Sequence, residues 1–307
     1  MALRYMRIWR YIDEVVRAGS VRQAAERMNV TPSALLRRIQ DVEHDLNAAI
    51  FERHATGVKL TAAGEILIHW VRSQNADLRR VYSEIEGLSG LKRGEVSIAC
   101  SQAVARSFLL DQILEFNAEH SAVKFKVIVA DHQAALQTLA SYEADLVLIF
   151  RPSKSADLQT ILSIGQGMCA VMAADHPLAA NRSLRLRECA GYDLALPEGH
   201  FGGRELLNDW LASSSLKFDE KLEANSFDML ADFVARTQAL TFQIDVGTLM
   251  WRSDPKFAVR PISDADQLYG PLVLGQYKGR TLPLAPAKFA EQLARNLDAL
   301  RTLPMPD

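Results

Sequence analysis

The sequence predicts an α/β protein built as an all-α N-terminal region, a long helix and a C-terminal region of alternating strands and helices. Three observations carry this. Apolar residues recur at helical spacing through the first fifty residues and are interrupted twice by capping signals. A longer segment then repeats its apolar positions at alternating steps of four and three. From Glu95 onward, β-branched runs alternate with helical patterns.

The 307 residues are enough for about two domains, each with its own core. The longest apolar runs, such as Leu146 to Phe150, are far too short to span a bilayer, and no secretory pattern precedes the first helix. Cys100, Cys169 and Cys189 stand far apart without metal-like or CxxC spacing. These features lead us to expect a cytoplasmic protein with reduced thiols, no cofactor and no membrane partner. The net charge of −2 is uninformative, but its distribution is not. Residues 1–93 hold 15 Lys/Arg against 11 Asp/Glu, and the remainder holds 20 against 26. A basic end on an acidic body fits an end that meets phosphate.

Leu3, Met6, Trp9, Ile12 and Val16 form the apolar face of a first helix, which Ala18-Gly19 ends. Ser20-Val21-Arg22-Gln23 reads as a capping box opening a second helix to Met28. Ala24 and Ala25 let a following helix approach closely, and Asn29-Val30 makes the turn. Thr31-Pro32 opens the third helix as N-cap and first helical residue. Leu35, Ile39, Val42 and Leu46 point toward a core, while Ser33, Leu36, Arg37 and Gln40 point away. A hydroxyl, a guanidinium and an amide near a helix start can read base edges or hold phosphates. Two extended pieces flanking Thr56-Gly57 make a wing, on which Arg53 and Lys59 can meet the sugar-phosphate backbone. The candidate DNA contacts are therefore Ser20, Gln23, Thr31, Pro32, Ser33, Leu36, Arg37, Gln40, Arg53 and Lys59.

The stretch from Ala18 to Glu65 resembles the winged helix-turn-helix of LysR-type transcriptional regulators. Gly19-Ser20, Ala24-Ala25, Thr31-Pro32-Ser33, Arg37, Ile39, Glu43, Leu46, Phe51-Glu52-Arg53, Leu60-Thr61 and Gly64 match in order. Two positions depart. The family usually has Ser at Leu36 and Gly at Asn47. Asn tolerates the left-handed conformation. Leu36 exchanges a phosphate contact for one suited to a thymine methyl. The resemblance implies a DNA-binding domain at 1–60, a linker and dimerisation helix at 61–90 and an effector-binding domain at 91–307.

Thr61 caps the linker, and Leu67, Val71, Gln74, Leu78, Val81, Ile85 and Leu88 form a heptad seam suited to a second copy. About 28 helical residues extend roughly 42 Å. Gly87, Ser89-Gly90 and Gly94 mark the hinge. A homodimer presents two recognition helices to half-sites about one helical turn apart, so the expected target is double-stranded DNA carrying an interrupted inverted repeat. The family resemblance extends this to a homotetramer.

Beyond the hinge, strands are expected at Glu95–Ala99, Val123–Val129, Asp145–Phe150, Met168–Ala173, near Asp193, Lys221, Leu240 and Phe257, and at Pro271–Gln276. Intervening helices and a final one at Pro286–Arg301 favour a parallel sheet covered on both faces. The layout resembles the two-lobed, periplasmic-binding-protein-like effector domain of the LysR type. Asp145-Leu146-Val147-Leu148, His176-Pro177-Leu178-Ala179 and Ser183-Leu184-Arg185-Leu186 look like its landmarks. Lobe one would be 95–167 with 270–307, and lobe two 168–269.

A ligand belongs beyond the carboxyl ends of the strands, where helix N-termini converge. Ser101, Gln102, His132, Phe150, Arg151, Phe201, Gly202, Arg204 and Gln243 occupy such places. Backbone amides with Ser101 and Arg204 favour a small carboxylate effector. Three alternatives remain open at this point. One is a thiol redox-sensing regulator using Cys100. Another is an enzyme pairing Ser101 with His132, although no GxSxG, P-loop, GxGxxG or HExxH occurs. The third is a DNA binder without a ligand.

Overall fold

The computed structural model describes residues 2–54, 57–88, 90–91, 93–263 and 268–300. Thr56, Ser89 and Arg301 of the sequence reading lie outside them. The chain forms two compact units, Met1–Tyr82 and Ser83–Asp307.

In the N-terminal unit, α1 (Ala2–Ala18), α2 (Val21–Arg27) and α3 (Pro32–Leu46) precede the hairpin β1 (Phe51–His54) and β2 (Gly57–Leu60), and α4 (Ala62–Gly87) follows. Tyr11, Ile12, Val15, Ala24, Ala25, Leu35 and Ile39 bury themselves together with Ile50, Ile68 and Val71. Leu46, expected in this core, is 48% exposed. It ends α3 beyond the last core residue Val42, just before Asn47 turns left-handed at φ 50°. The Glu43 carboxylate accepts the Ile50 and Phe51 N–H groups at 2.8 and 3.3 Å and so fixes the chain at the start of the hairpin. Val58 N–H donates to Gly19 O at 3.0 Å. Gly57 stands so close that a Cβ there would lie 2.2 Å from that same oxygen. The wing is thus tied to the turn between α1 and α2.

The seam of α4 serves two ends. Leu67 and Val71 pack into the core just described. Val81, Ile85 and Leu88 are exposed, Leu88 to 88%.

The C-terminal unit continues with β3 (Gly94–Cys100), α5 (Gln102–Val104), a wide helical turn over Ala105–Leu109, α6 (Leu110–Glu119), β4 (Val123–Val129), α7 (His132–Ala140), β5 (Leu146–Phe150) and β6 (Leu158–Ala173). Next come α8 (Leu186–Cys189), β7 (Asp193–Pro197), α9 (Gly202–Ala212), β8 (Asp219–Ala224), α10 (Phe227–Val234), β9 (Thr241–Ile244), α11 (Leu249–Arg252), β10 (Phe257–Pro261), β11 (Tyr269–Tyr277) and α12 (Leu284–Ala299). The sheet is mixed, which corrects the all-parallel expectation. β3 pairs β4 and β5 in parallel, whereas β11 runs antiparallel to β5 and β6. The cause is β6, which spans both lobes. It pairs β11 over Leu158–Gly167, then β9 and β10 from Met168. Sequence reading found only its second half, because Gln159, Thr160, Ser163, Gly165, Gln166 and Gly167 dilute the apolar signal of the first. Helix α12 sets Phe289 edge-on against Phe116 and Phe125 under lobe one. Among the described residues, no helix is long and apolar enough to cross a membrane.

Candidate functional site

The N-terminal unit presents one polar helix face. Thr31 Oγ1 accepts the Ala34 N–H at 3.3 Å and lies 3.3 Å from Ser33 Oγ, which fixes the start of α3 after Pro32 enters as its first residue. Ser33, Arg37 and Gln40 fall on one side of α3 and are exposed, opposite Leu35, Ile39 and Val42. Leu36 is half-buried beside them. Ser20 caps α2 by accepting the Gln23 N–H at 3.4 Å, leaving the Gln23 side chain exposed. Lys59 is exposed on β2. Arg53 lies in β1, with its side chain outside the described residues.

Neighbouring cations are committed. Arg22 pairs with Glu26 and Arg27 with Glu14, while Arg17 and Arg72 share Asp13. Arg37, Gln40 and Lys59 make no side-chain hydrogen bond or ion pair with any described residue. Their chemistry is available to a partner.

The second candidate site is a narrow cleft between the lobes, partly open to solvent, with a cavity volume of about 20 Å³. It opens beyond the carboxyl ends of β3, β4 and β5, as the topological argument requires. Ser101, Gln102, His132, Phe150, Phe201, Gly202 and Gln243 line it. Arg151 and Arg204 do not, which corrects the sequence reading of both. Arg151, held at φ 49°, turns its guanidinium to Asp209 at 2.8 Å. Arg204 donates to Asn208 and Glu220 at 3.0 and 2.8 Å, because α9 rotates it toward β8. No lysine or arginine remains among the lining residues.

Sequence reasoning missed Asp131, Phe227 and Phe242 in the lining. Phe227 was within reach, since Ser226-Phe227 opens a helix just after a strand, the same signal that pointed to Ser101. Most polar groups in the cleft are bound internally. Ser101 Oγ accepts the Phe150 N–H at 3.1 Å, Gln102 Oε1 accepts the Phe227 N–H at 3.1 Å, and Gln243 Oε1 accepts the Ile244 N–H at 2.9 Å. Helix α9 differs: its N-cap residue Phe201 supplies no side-chain bond, so the first-turn amides stay open.

Contacts across the cleft hold the lobes together. Arg106 pairs with Asp228, Arg151 with Asp209, and Gln102 reaches Phe227. Phe150 O sits so near α9 that a Cβ on Gly202 would lie 2.9 Å from it. Cys100 and Cys169 are buried, and burial pushes each thiol up to about 12.

Comparison with known proteins matches both regions of the chain. Residues 6–65 match the family described as bacterial regulatory helix-turn-helix protein, lysR family. Residues 89–298 match the LysR substrate binding domain. The RuBisCO operon transcriptional regulator of Allochromatium vinosum is 26% identical over 67% of each chain. A full-length OxyR variant from Pseudomonas aeruginosa superposes with a TM-score of 0.73 at 18% identity, covering 94% of both chains. Full-length CbnR in complex with its target DNA gives 0.63 at 16% identity, over 95% of this chain and 99% of that one. With a helix-turn-helix and an effector-binding domain each matched in place, the chain belongs to the LysR family of DNA-binding transcriptional regulators.

Proposed function

We propose that α3 enters the major groove, with Ser33, Leu36, Arg37 and Gln40 at base edges. Ser20, Gln23, Thr31, Pro32, Arg53 and Lys59 then meet the sugar-phosphate backbone. The observation that supports this reading is the uncommitted Arg37 guanidinium on a capped helix whose other face is core. A gel-shift titration of the protein's own upstream region tests it. Arg37→Ala is expected to weaken specific binding about 10- to 100-fold, the worth of one good base contact. Unchanged affinity would remove α3 from the interface.

A second copy covers the exposed Val81 and Ile85 of α4 and Leu88 just beyond it, giving a homodimer that reads two half-sites, and pairs of dimers form the tetramer. The cytoplasm is its place of action.

The effector is a small organic acid seated between the lobes, its carboxylate on the open first turn of α9. Arg151 and Arg204 take no part. Acid binding changes the relation of the lobes, and through it the spacing of the DNA-reading helices. We read the cleft as a binding site rather than an active site, a reading supported by Ser101 Oγ accepting the Phe150 N–H and by Glu205 Oε1 lying 4.0 Å from His132 Nε2. The buried, protonated thiols favour a ligand over a redox signal. A thermal-shift panel of small organic acids tests this reading, with stabilisation expected from at least one.

A further inference from the structure

We infer that the effector also carries a hydrogen-bond donor, a hydroxyl, read by Nδ1 of His132; this rests on the small-acid reading of the cleft. His132 is the first residue of α7, whose N-cap Asp131 already accepts the Gln133 and Ala134 N–H groups. The ring lines the cleft and is only 6% exposed. Its Nε2 lies 4.0 Å from Glu205 Oε1 on the opposite lobe. Its Nδ1 is buried and has no partner among the described residues.

A neutral imidazole carries one N–H and one bare nitrogen. A carboxylate on the Nε2 side selects the form protonated there, because the other form would set a lone pair against the carboxylate. Nδ1 is then an acceptor, and a buried acceptor is normally met. The side-chain oxygens of Ser101, Gln102 and Gln243 already accept backbone N–H groups. His132 Nδ1 is the buried acceptor of this lining that has no partner among the described residues. Phe150, Phe201 and Phe242 add apolar aromatic walls, which a guest has to part to enter. The chemistry that fits is a hydroxylated cyclic acid, with the acid on α9 and the hydroxyl on His132.

The test titrates full-length protein, by calorimetry, with benzoate and its three monohydroxy isomers. One isomer is expected to bind about tenfold tighter than benzoate, since a site built to bond a hydroxyl rejects the analogue lacking it. His132→Leu should abolish that preference. His132→Asn, which keeps an oxygen near the Nδ1 position, should restore it and covers the case in which the leucine variant fails to fold. Equal binding of all four acids overturns the inference, leaves the small-acid reading intact and means that a water satisfies Nδ1. A preference that survives His132→Leu overturns it as well. Binding by none of the four sinks the hydroxylated-ring assignment, while the broader acid panel still decides the reading beneath it.

Discussion

The exposed face of α3 and the cleft both gather polar groups near helix N-termini, yet most of those around the cleft are already bound within the protein. Arg37, Gln40 and Lys59 have no partner among the described residues. Around the cleft, Arg106, Arg151 and Gln102 are each bound across the gap to the other lobe. The difference follows from what each surface meets. Duplex DNA brings its own charge and shape, so the protein needs only to present preformed groups. A small molecule brings few atoms, and must replace contacts that the lobes already make with each other. Such replacement is what allows binding to bias one arrangement over another, since a ligand shifts an equilibrium only through differential contacts.

The largest test of this contrast concerns a committed charge that is also deeply buried. Arg280 donates to Asp145 at 2.7 Å, and Asp145 also accepts the Ser97 N–H at 3.0 Å. Both side chains are almost wholly shielded from solvent. Asp145→Ala would leave a guanidinium uncompensated at the foot of lobe one, at a cost of about 3–5 kcal/mol. Because the chain folds as two units, calorimetry should show the C-terminal transition falling while the N-terminal one stays in place. A common shift of both would mean that the units unfold together.

The mirror experiment sits in the wing. Gly57→Ala sets a methyl against Gly19 O at a residue whose φ is 139°. Strain and clash together should cost about 1–3 kcal/mol, confined to the N-terminal transition. DNA affinity should fall with it, because the wing that carries Lys59 is displaced. Retained affinity at reduced stability would show that α3 alone holds the duplex.

Local chemistry was legible in the sequence, and long-range geometry was not. Thr31 and Ser20 announced their helices because a cap acts within three residues. Asn47 was placed correctly in the left-handed region for the same reason. Glu43 matched the family pattern, but its clamp on the Ile50 and Phe51 amides joins the end of one helix to the start of a strand. In the cleft, position after a strand identified Ser101, His132 and Phe201, because strand ends in such sheets face the gap. Position could not give side-chain direction. Arg204 occupies the first turn of the right helix, yet a carboxylate sixteen residues on, Glu220, draws it away. Phe242 and Phe227 come from lobe-two elements whose approach to Ser101 is set by the crossing of β6, a non-local fact.

The smallest expected effect decides most directly whether the cleft is latched. Asp209 is largely exposed, so its pair with Arg151 stabilises the fold by under about 1 kcal/mol and less at high salt. A double-mutant cycle of Arg151→Ala and Asp209→Ala should recover that coupling from denaturation midpoints. The effect on ligand affinity has a sign that separates two roles. A guest on the first turn of α9 has to part Gly202 from Phe150 O. If Arg151 is a latch, Arg151→Ala and Asp209→Ala should each tighten binding of whichever acid raises the melting temperature, by up to about fivefold, the equivalent of 1 kcal/mol. If Arg151 instead holds the effector, its removal weakens binding while Asp209→Ala strengthens it by freeing the guanidinium. The contrast between an open DNA face and a self-bound cleft would then fail at the residue where charge and position had first pointed to a ligand.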